Sequence, residues 1–202
     1  MNYFVTAIGT DSGKTVLSAV LVEALHADYW KPVQAGMPRD TETVRALVSN
    51  TTSRFYSEGH LLKTPASPHA SAKIDGVDLS ISSLHPPVSN RDLVIEGAGG
   101  VMVPLNDTEL VIEMADHFDA EIIVVCNLYL GSINHSLLTL DYLGRTDRKV
   151  RGIIFNGESN SESEEIILKK YPYPCLLRMP QLKSVDQASV KKYAEQMKNS
   201  MK

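Results

Sequence analysis

The 202-residue chain is poor in cysteine, with only Cys126 and Cys175. Two thiols cannot build a disulfide framework, and both lie in apolar runs, which reads as small buried residues in a reducing cytoplasm. Long hydrophobic runs are absent too: stretches such as Ile122 to Cys126 fall far short of the about 20 apolar residues that cross a bilayer. The start, Met1-Asn2-Tyr3-Phe4-Val5, has no basic leader, so no targeting segment is expected. Six histidines are scattered without an HExxH motif or a Cys/His cluster, which leaves a transition-metal site without support. Nor is there an excess of positive charge. Twenty Lys and Arg stand against 24 Asp and Glu, a formal charge of −4, whereas broad capture of nucleic acid needs a dense positive face. A small anionic ligand stays open, because a phosphate site is built locally from backbone N–H groups and one or two cations.

What is present is ordinary for a soluble domain, 43% hydrophobic and 22% charged. With no repeat, low-complexity tract or linker, one domain over residues 1–202 is expected. Strands are read near Asn2–Ile8, Tyr29–Val33, Leu93–Glu96, Glu121–Asn127, Val150–Asn156 and Pro174–Met179. Several are apolar throughout, as strands covered on both faces are. Helices are read at Lys14–Ala27, Asp40–Val48, Glu109–Phe118, Ile133–Leu143, Glu162–Lys170 and Ser184–Lys198. In the last, Val185, Ala188, Tyr193 and Met197 suit one buried face. This alternation predicts an α/β fold, doubly wound, with a mainly parallel sheet and helices on both faces. Residues 49–90, with Pro65, Pro68, Pro86 and Pro87, read as a long excursion with short helices.

The sharpest feature is Thr6-Ala7-Ile8-Gly9-Thr10-Asp11-Ser12-Gly13-Lys14-Thr15, placed between the first strand and the first helix. That is the setting of a phosphate loop: glycine lets successive N–H groups converge on phosphate oxygens, and the helix N-terminus adds positive potential. Lys14 would neutralise the terminal phosphates and the Thr15 hydroxyl would ligate Mg²⁺. The strict pattern wants glycine where Ile8 stands, but its chemically essential end, Gly-Lys-Thr, is intact.

Other polar residues gather at strand ends, where ligands bind in such folds. Lys31 in Lys31-Pro32-Val33-Gln34-Ala35-Gly36 either faces developing negative charge or is a solvated lysine. Asp40 sits at a helix start, the place of an N-cap, which does not exclude a functional role as well. Glu96, opening Glu96-Gly97-Ala98-Gly99-Gly100, is a natural second carboxylate for Mg²⁺ at Thr15, or else an exposed residue at a tight turn. Leu130-Gly131-Ser132-Ile133-Asn134-His135 enters a helix and offers N–H groups to a carboxylate, with His135 read as structural. Asn156 can read an adenine edge or simply precede a turn at Gly157.

Together these stretches resemble the dethiobiotin synthetase family. The match runs in order through Gly13-Lys14-Thr15, Lys31-Pro32-Val33, Ser67-Pro68-His69, Glu96-Gly97-Ala98-Gly99-Gly100 with Pro104-Leu105, Gly131-Ser132-Ile133-Asn134-His135 with Leu138-Thr139, Asn156 and Met179-Pro180. It spans nearly the whole chain. The resemblance implies a phosphate-loop NTPase fold, a homodimer, and ATP, Mg²⁺, CO₂ and 7,8-diaminononanoate as ligands. One amine takes up CO₂ as a carbamate, ATP phosphorylates it, and the second amine closes the ring. By the same resemblance Asp11, Ser12, Gly13, Lys14, Thr15 and Val16 hold the phosphates, and Asn156, Pro180 and Leu182 the adenine. Thr15, Asp40 and Glu96 hold Mg²⁺. Lys14, Lys31 and Thr10 serve catalysis. Lys31, Ala35, Glu96, Gly97, Ala98 and Gly99 contact substrate, whose carboxylate meets Gly131, Ser132, Ile133 and Asn134 across the dimer interface.

The sequence departs from the family's pattern at Ala7, usually glycine, Gly9, often aspartate, and Ala35, commonly Ser or Thr. The last removes a hydroxyl near the substrate. The alternative is a phosphate-loop ATPase switch of the partitioning and targeting type. Such switches carry a lysine where Gly9 stands, which counts against it.

Overall fold

A computed structural model describes residues 1–201. The chain runs β1 (Asn2–Ala7), α1 (Lys14–Leu25), β2 (Asp28–Trp30), β3 (Val33–Ala35), α2 (Asp40–Leu47), β4 (His60–Leu62), α3 (Pro68–Asp75), β5 (Leu93–Glu96) and α4 (Glu113–His117). It continues through β6 (Ala120–Asn127), α5 (Ser132–Gly144), β7 (Val150–Asn156), α6 (Ser161–Lys170), β8 (Cys175–Met179) and α7 (Gln187–Ser200). Six strands form one sheet in the order β2-β5-β1-β6-β7-β8, and every pairing in it is parallel.

The strand composition follows from burial on both faces. Along β1, Tyr3, Val5 and Ala7 pack with α1 and α7, while Phe4 points into the opposite core with Trp30, Ile95 and Phe118. Neither face meets water, so neither needs polar residues. From β1 the chain first moves to β2 through α1, then returns to build β6, β7 and β8 on the other side. Right-handed crossovers in opposite directions place helices on opposite faces: residues of α1 and α7 share one core, those of α4, α5 and α6 the other. The loop after β1 therefore lies at the switch point, where a crevice opens at the strand ends.

Three elements differ from expectation. The strand read at Tyr29–Val33 is split: β2 ends at Trp30, and β3 pairs instead with β4 in a separate two-stranded parallel sheet. Pro32 has no N–H to continue a ladder, and its carbonyl accepts from the His60 N–H at 2.8 Å, which starts the second sheet. The helix read at Glu109–Phe118 is confined to Glu113–His117. Its first part folds back on the preceding loop, with the Leu105 N–H donating to Glu109 O and the Val111 N–H to Val103 O, both at 2.8 Å. The last helix starts at Gln187, set by a capping box between Asp186 and Ser189, so Val185 and Ala188 are exposed. Its buried face is Val190, Tyr193, Ala194 and Met197, an i, i+3, i+4, i+7 pattern. The excursion at 49–90 contains β4, α3 and a 3-10 turn at Ile81–Ser83, and its Leu79, Ile81 and Leu84 close the second core.

Gly152 marks a close approach near the start of β7. A Cβ there would stand 2.5 Å from the Pro174 carbonyl oxygen and 2.7 Å from Leu176 Cγ. Gly152→Ala is expected to lower stability by about 1–3 kcal/mol through overpacking of the β7–β8 edge. Urea unfolding checks this, and a midpoint equal to wild type would contradict the packing described.

Candidate active site

The loop from Gly9 to Gly13 joins β1 to α1, and the strands beside it brace it. Gly13 opens the helix at φ +89°, a left-handed conformation that favours glycine. A side chain there is excluded twice, because a Cβ would also lie 2.4 Å from Asn156 Nδ2. Asn156, at the end of β7, donates that same nitrogen to Ser12 O at 2.9 Å. Ser12 Oγ in turn donates to Asn127 Oδ1, at the end of β6, at 2.8 Å. Asn127 went unremarked in the sequence. Its role depends on which strands become neighbours, and no local pattern signals that.

Facing this loop is a buried charged cluster. Strand alternation puts Val94 and Tyr29 on the α1 face of the sheet, and the same alternation carries Glu96 and Lys31 there. Lys31 is 3% exposed and Glu96 1%. Lys31 Nζ lies 3.0 Å from Glu96 Oε1 and 2.7 Å from Asp40 Oδ2, and donates to Gly97 O at 2.9 Å. Thr15 Oγ1 donates to the same Glu96 Oε1 at 3.0 Å. Tyr29 completes the carboxylate, its hydroxyl donating to Oε2 at 2.9 Å. Of the readings open for Lys31 and Glu96, surface exposure is eliminated for both. Asp40 is the first residue of α2 rather than its cap. Its N–H donates to the side-chain oxygen of buried Gln34 at 2.9 Å, which leaves the carboxylate free to meet Lys31.

Burial would by itself lower the Lys31 pKa, but Glu96 and Asp40 outweigh it and the net shift is upward, so Lys31 stays a cation. Lys14 goes the other way. Burial, with Lys31 as a like charge beside it, brings its pKa down to about 8, against the partial opposition of Glu96, Asp40 and Asp11. Its ammonium meanwhile donates to Gly9 O at 3.1 Å. Burial and the neighbouring Glu96 keep the Tyr29 phenol protonated, well above its ordinary range.

Lys14, Thr15, Lys31, Gln34, Asp40 and Glu96 line a cavity of about 720 Å³, together with Thr10, Asp11, Ser12, Gly13, Val16, Ala35, Ala98 and Gly99, while Tyr29 lies behind Glu96 and outside the lining. Pro65 to Pro68, ahead of α3, form the opposite rim. Gly97 contributes its carbonyl to Lys31 rather than a wall. Asn156 stands just behind the loop, and the β7–β8 register pairs it with Met179, which brings Pro180 to the same end of the sheet. Gly131 to Asn134 lie apart from the cavity, at the start of α5, with Gly131 and Asn134 exposed and Ser132 buried.

The donor set suits a hard cation. Thr15 Oγ1, Glu96 Oε1 and Asp40 Oδ2 are all oxygens, and the two carboxylates already converge on one positive group, the Lys31 ammonium. Among the described residues no group of three His, Cys, Asp or Glu could hold a metal alone. Two carboxylates and a hydroxyl beside a phosphate loop match Mg²⁺, which takes few protein ligands and completes its shell from phosphate and water.

A family model described as an AAA domain matches residues 1–189. The ATP-dependent dethiobiotin synthetase of Cytophaga hutchinsonii is 51% identical over 194 residues, covering 95% of this chain and 94% of its own. That of Christiangramia forsetii is 44% identical, covering 99% and 97%. The chain belongs to the ATP-dependent dethiobiotin synthetase family. Its fold is shared more widely. A ParA family ATPase from Chlorobium tepidum superposes with a TM-score of 0.59 at 14% identity over 99% of this chain and 96% of that one. The septum site-determining protein MinD from Pyrococcus horikoshii gives 0.55, also at 14%, over 96% and 95%. At that identity the likeness concerns the fold alone. It leaves the switch alternative with less support than the dethiobiotin synthetase relatives give the enzyme.

For a dethiobiotin synthetase the depressed Lys14 has a measurable consequence. Below about pH 8 Lys14 is already charged, whereas above it much of the population is neutral. Phosphate in the loop favours the charged form, so ATP binding near pH 8.5 should take up roughly half a proton or more from solvent. Calorimetry in buffers of different ionisation enthalpy reads this uptake directly. Uptake should vanish in Lys14→Met and be small at pH 6.5, and proton release at pH 8.5 would contradict the assignment.

Proposed function

We propose that this chain closes the ureido ring of dethiobiotin from 7,8-diaminononanoate, CO₂ and ATP. The observation that carries the reading is the joining, in one cavity, of a phosphate-loop lysine, a buried lysine and two carboxylates, in a chain of this family. Phosphoryl transfer asks a protein mainly for positioning and charge neutralisation, and that is what this cavity can supply.

In the proposed sequence, one amine of the substrate takes up CO₂ as a carbamate. A carbamate oxygen attacks the γ-phosphorus of ATP, ADP leaves, and a carbamic-phosphoric anhydride results. The second amine then attacks the anhydride carbon, phosphate departs, and the ring is closed. Residues 11–16 hold the phosphates, with Thr10 at the mouth of the loop. Lys14 faces the transferring phosphoryl group. Lys31, held cationic by its carboxylates, stabilises charge on the carbamate oxygens. Mg²⁺ held by Thr15, Asp40 and Glu96 would supply charge neutralisation on the phosphates. Ala35, Ala98 and Gly99 shape the wall beside the reacting amines, with Gly97 anchoring Lys31. Asn156, Pro180 and Leu182 take the adenine, a role supported by their common position at the ends of β7 and β8.

The working unit proposed is a homodimer of single-domain chains, with the substrate carboxylate received by N–H groups of Gly131 to Asn134 across the interface. Supporting this, those residues lie outside the cavity and flank exposed apolar Leu130 and Leu138. A cytoplasmic location is proposed on the two cysteines, which are free; no helix among the described residues is long and apolar enough to cross a membrane.

A coupled assay of ADP release tests the reaction. Release should require both bicarbonate and 7,8-diaminononanoate, each omitted in turn, and release indifferent to both would overturn the proposal. Lys14→Ala and Lys31→Gln should each lower turnover by about 100-fold or more, since each removes a charge from the transition state. Circular dichroism should show both variants folded, Lys31→Gln with a lowered melting temperature because it leaves Glu96 buried without its cation. Full turnover by either would remove that lysine from the mechanism.

A further inference from the structure

Tyr29 is a fully buried phenol for which the proposed reaction has no use. It stands two residues before Lys31 and, by strand alternation, on the same face of the sheet, while Trp30 between them enters the other core. Its hydroxyl donates to Glu96 Oε2 at 2.9 Å, whereas Oε1 accepts from Thr15 Oγ1 and from Lys31 Nζ, each at 3.0 Å. The two oxygens are thus assigned to different sides. Among the described residues Tyr29 is the one hydrogen-bond donor to Oε2. The terminal torsion of a glutamate is soft and roughly two-fold, so an anchor on one oxygen decides where the other points.

We propose that Tyr29 is a positioning residue, whose hydroxyl holds the Glu96 carboxylate so that Oε1 is presented to a divalent cation beside Thr15. This rests on the reading of the site as one for magnesium and ATP. Losing such an outer partner of a ligating carboxylate costs about tenfold or more in metal affinity. Tyr29 also satisfies a buried oxygen, so a purely structural role has to be separated from a positioning one.

The test compares ATP affinity in saturating Mg²⁺ with ATP affinity in EDTA, measured by calorimetry well below the unfolding transition. Tyr29→Phe should leave the EDTA value at the wild-type level and cut the magnesium enhancement about tenfold. Tyr56→Phe is the control, since its hydroxyl donates to the buried Asp28 Oδ2 at 3.0 Å, outside the cavity. It should lower thermal stability and keep the full enhancement. A Tyr29→Phe protein with wild-type enhancement overturns the inference, as does an equal loss in Tyr56→Phe. Should Tyr29→Phe not fold alone, the decisive pair is Glu96→Gln with and without it. Equal enhancements in that pair support action through Glu96, and unequal ones overturn it. Wild-type protein showing no magnesium enhancement overturns the reading of the site itself, and Tyr29 with it, a result distinct from all the others.

Discussion

The buried pairing of Lys31 with Glu96 is the constraint around which this site is arranged. Two charges almost wholly removed from water are tolerable only when paired and hydrogen-bonded, because each alone carries a desolvation cost of several kcal/mol. Here both groups have further partners: Glu96 is held by Thr15 and Tyr29, and Lys31 by Asp40 and the Gly97 carbonyl. The pair ties the ends of β2 and β5 to the first turn of α1 and the start of α2. It also sets the field at the phosphate loop. Lys31 remains charged, and as a like charge it contributes, after burial, to the lowered pKa of Lys14.

The fold makes this arrangement possible because its chain reverses direction across the sheet after building its left-hand strands. β1 lies centrally, and the loop that follows it opens where β5 and β6 lead off through helices on one face while α1 covers the other. Asn127 and Asn156 then reach the loop from β6 and β7, on the opposite side from Glu96 and Lys31 on β5 and just beyond β2. The loop therefore lies between a neutral, hydrogen-bonding flank and an ionic one. The arrangement is preorganised, which is what a reaction dependent on charge neutralisation needs.

Much of the fold was legible because its signals are local. Five strands, those beginning near Asn2, Leu93, Glu121, Val150 and Pro174, lie where apolar runs and their flanking turns place them. The errors have physical causes that are not local. β2 stops early because Pro32 hands the chain to a partner some thirty residues onward, and α4 is short because Glu109 and Val111 answer to the loop at 103–105. At the site, Lys14, Thr15, Lys31 and Glu96 could be named in advance from residue type and position at a strand end or helix start, and Asp40 through the family resemblance. Tyr29, Gln34 and Asn127 could not. Each acts on a residue distant in sequence or across a turn, through one hydrogen bond that no spacing rule encodes.

By itself the sequence determined the chemistry on offer: a Gly-Lys-Thr loop between strand and helix, carboxylates and a lysine at strand ends, and an order of motifs that marks the family. It could do so because those features depend on backbone conformation and side-chain type within a few residues. Tertiary structure decided the surroundings of each polar residue. Lys31 and Glu96 are buried rather than solvated, Asp40 lies inside the helix and pairs with Lys31 rather than capping it, and Asn156 gains a hydrogen bond to the loop at Ser12 that neither of its local readings contained. Burial and pairing are properties of neighbours, and in a parallel sheet every neighbour comes from a distant part of the chain.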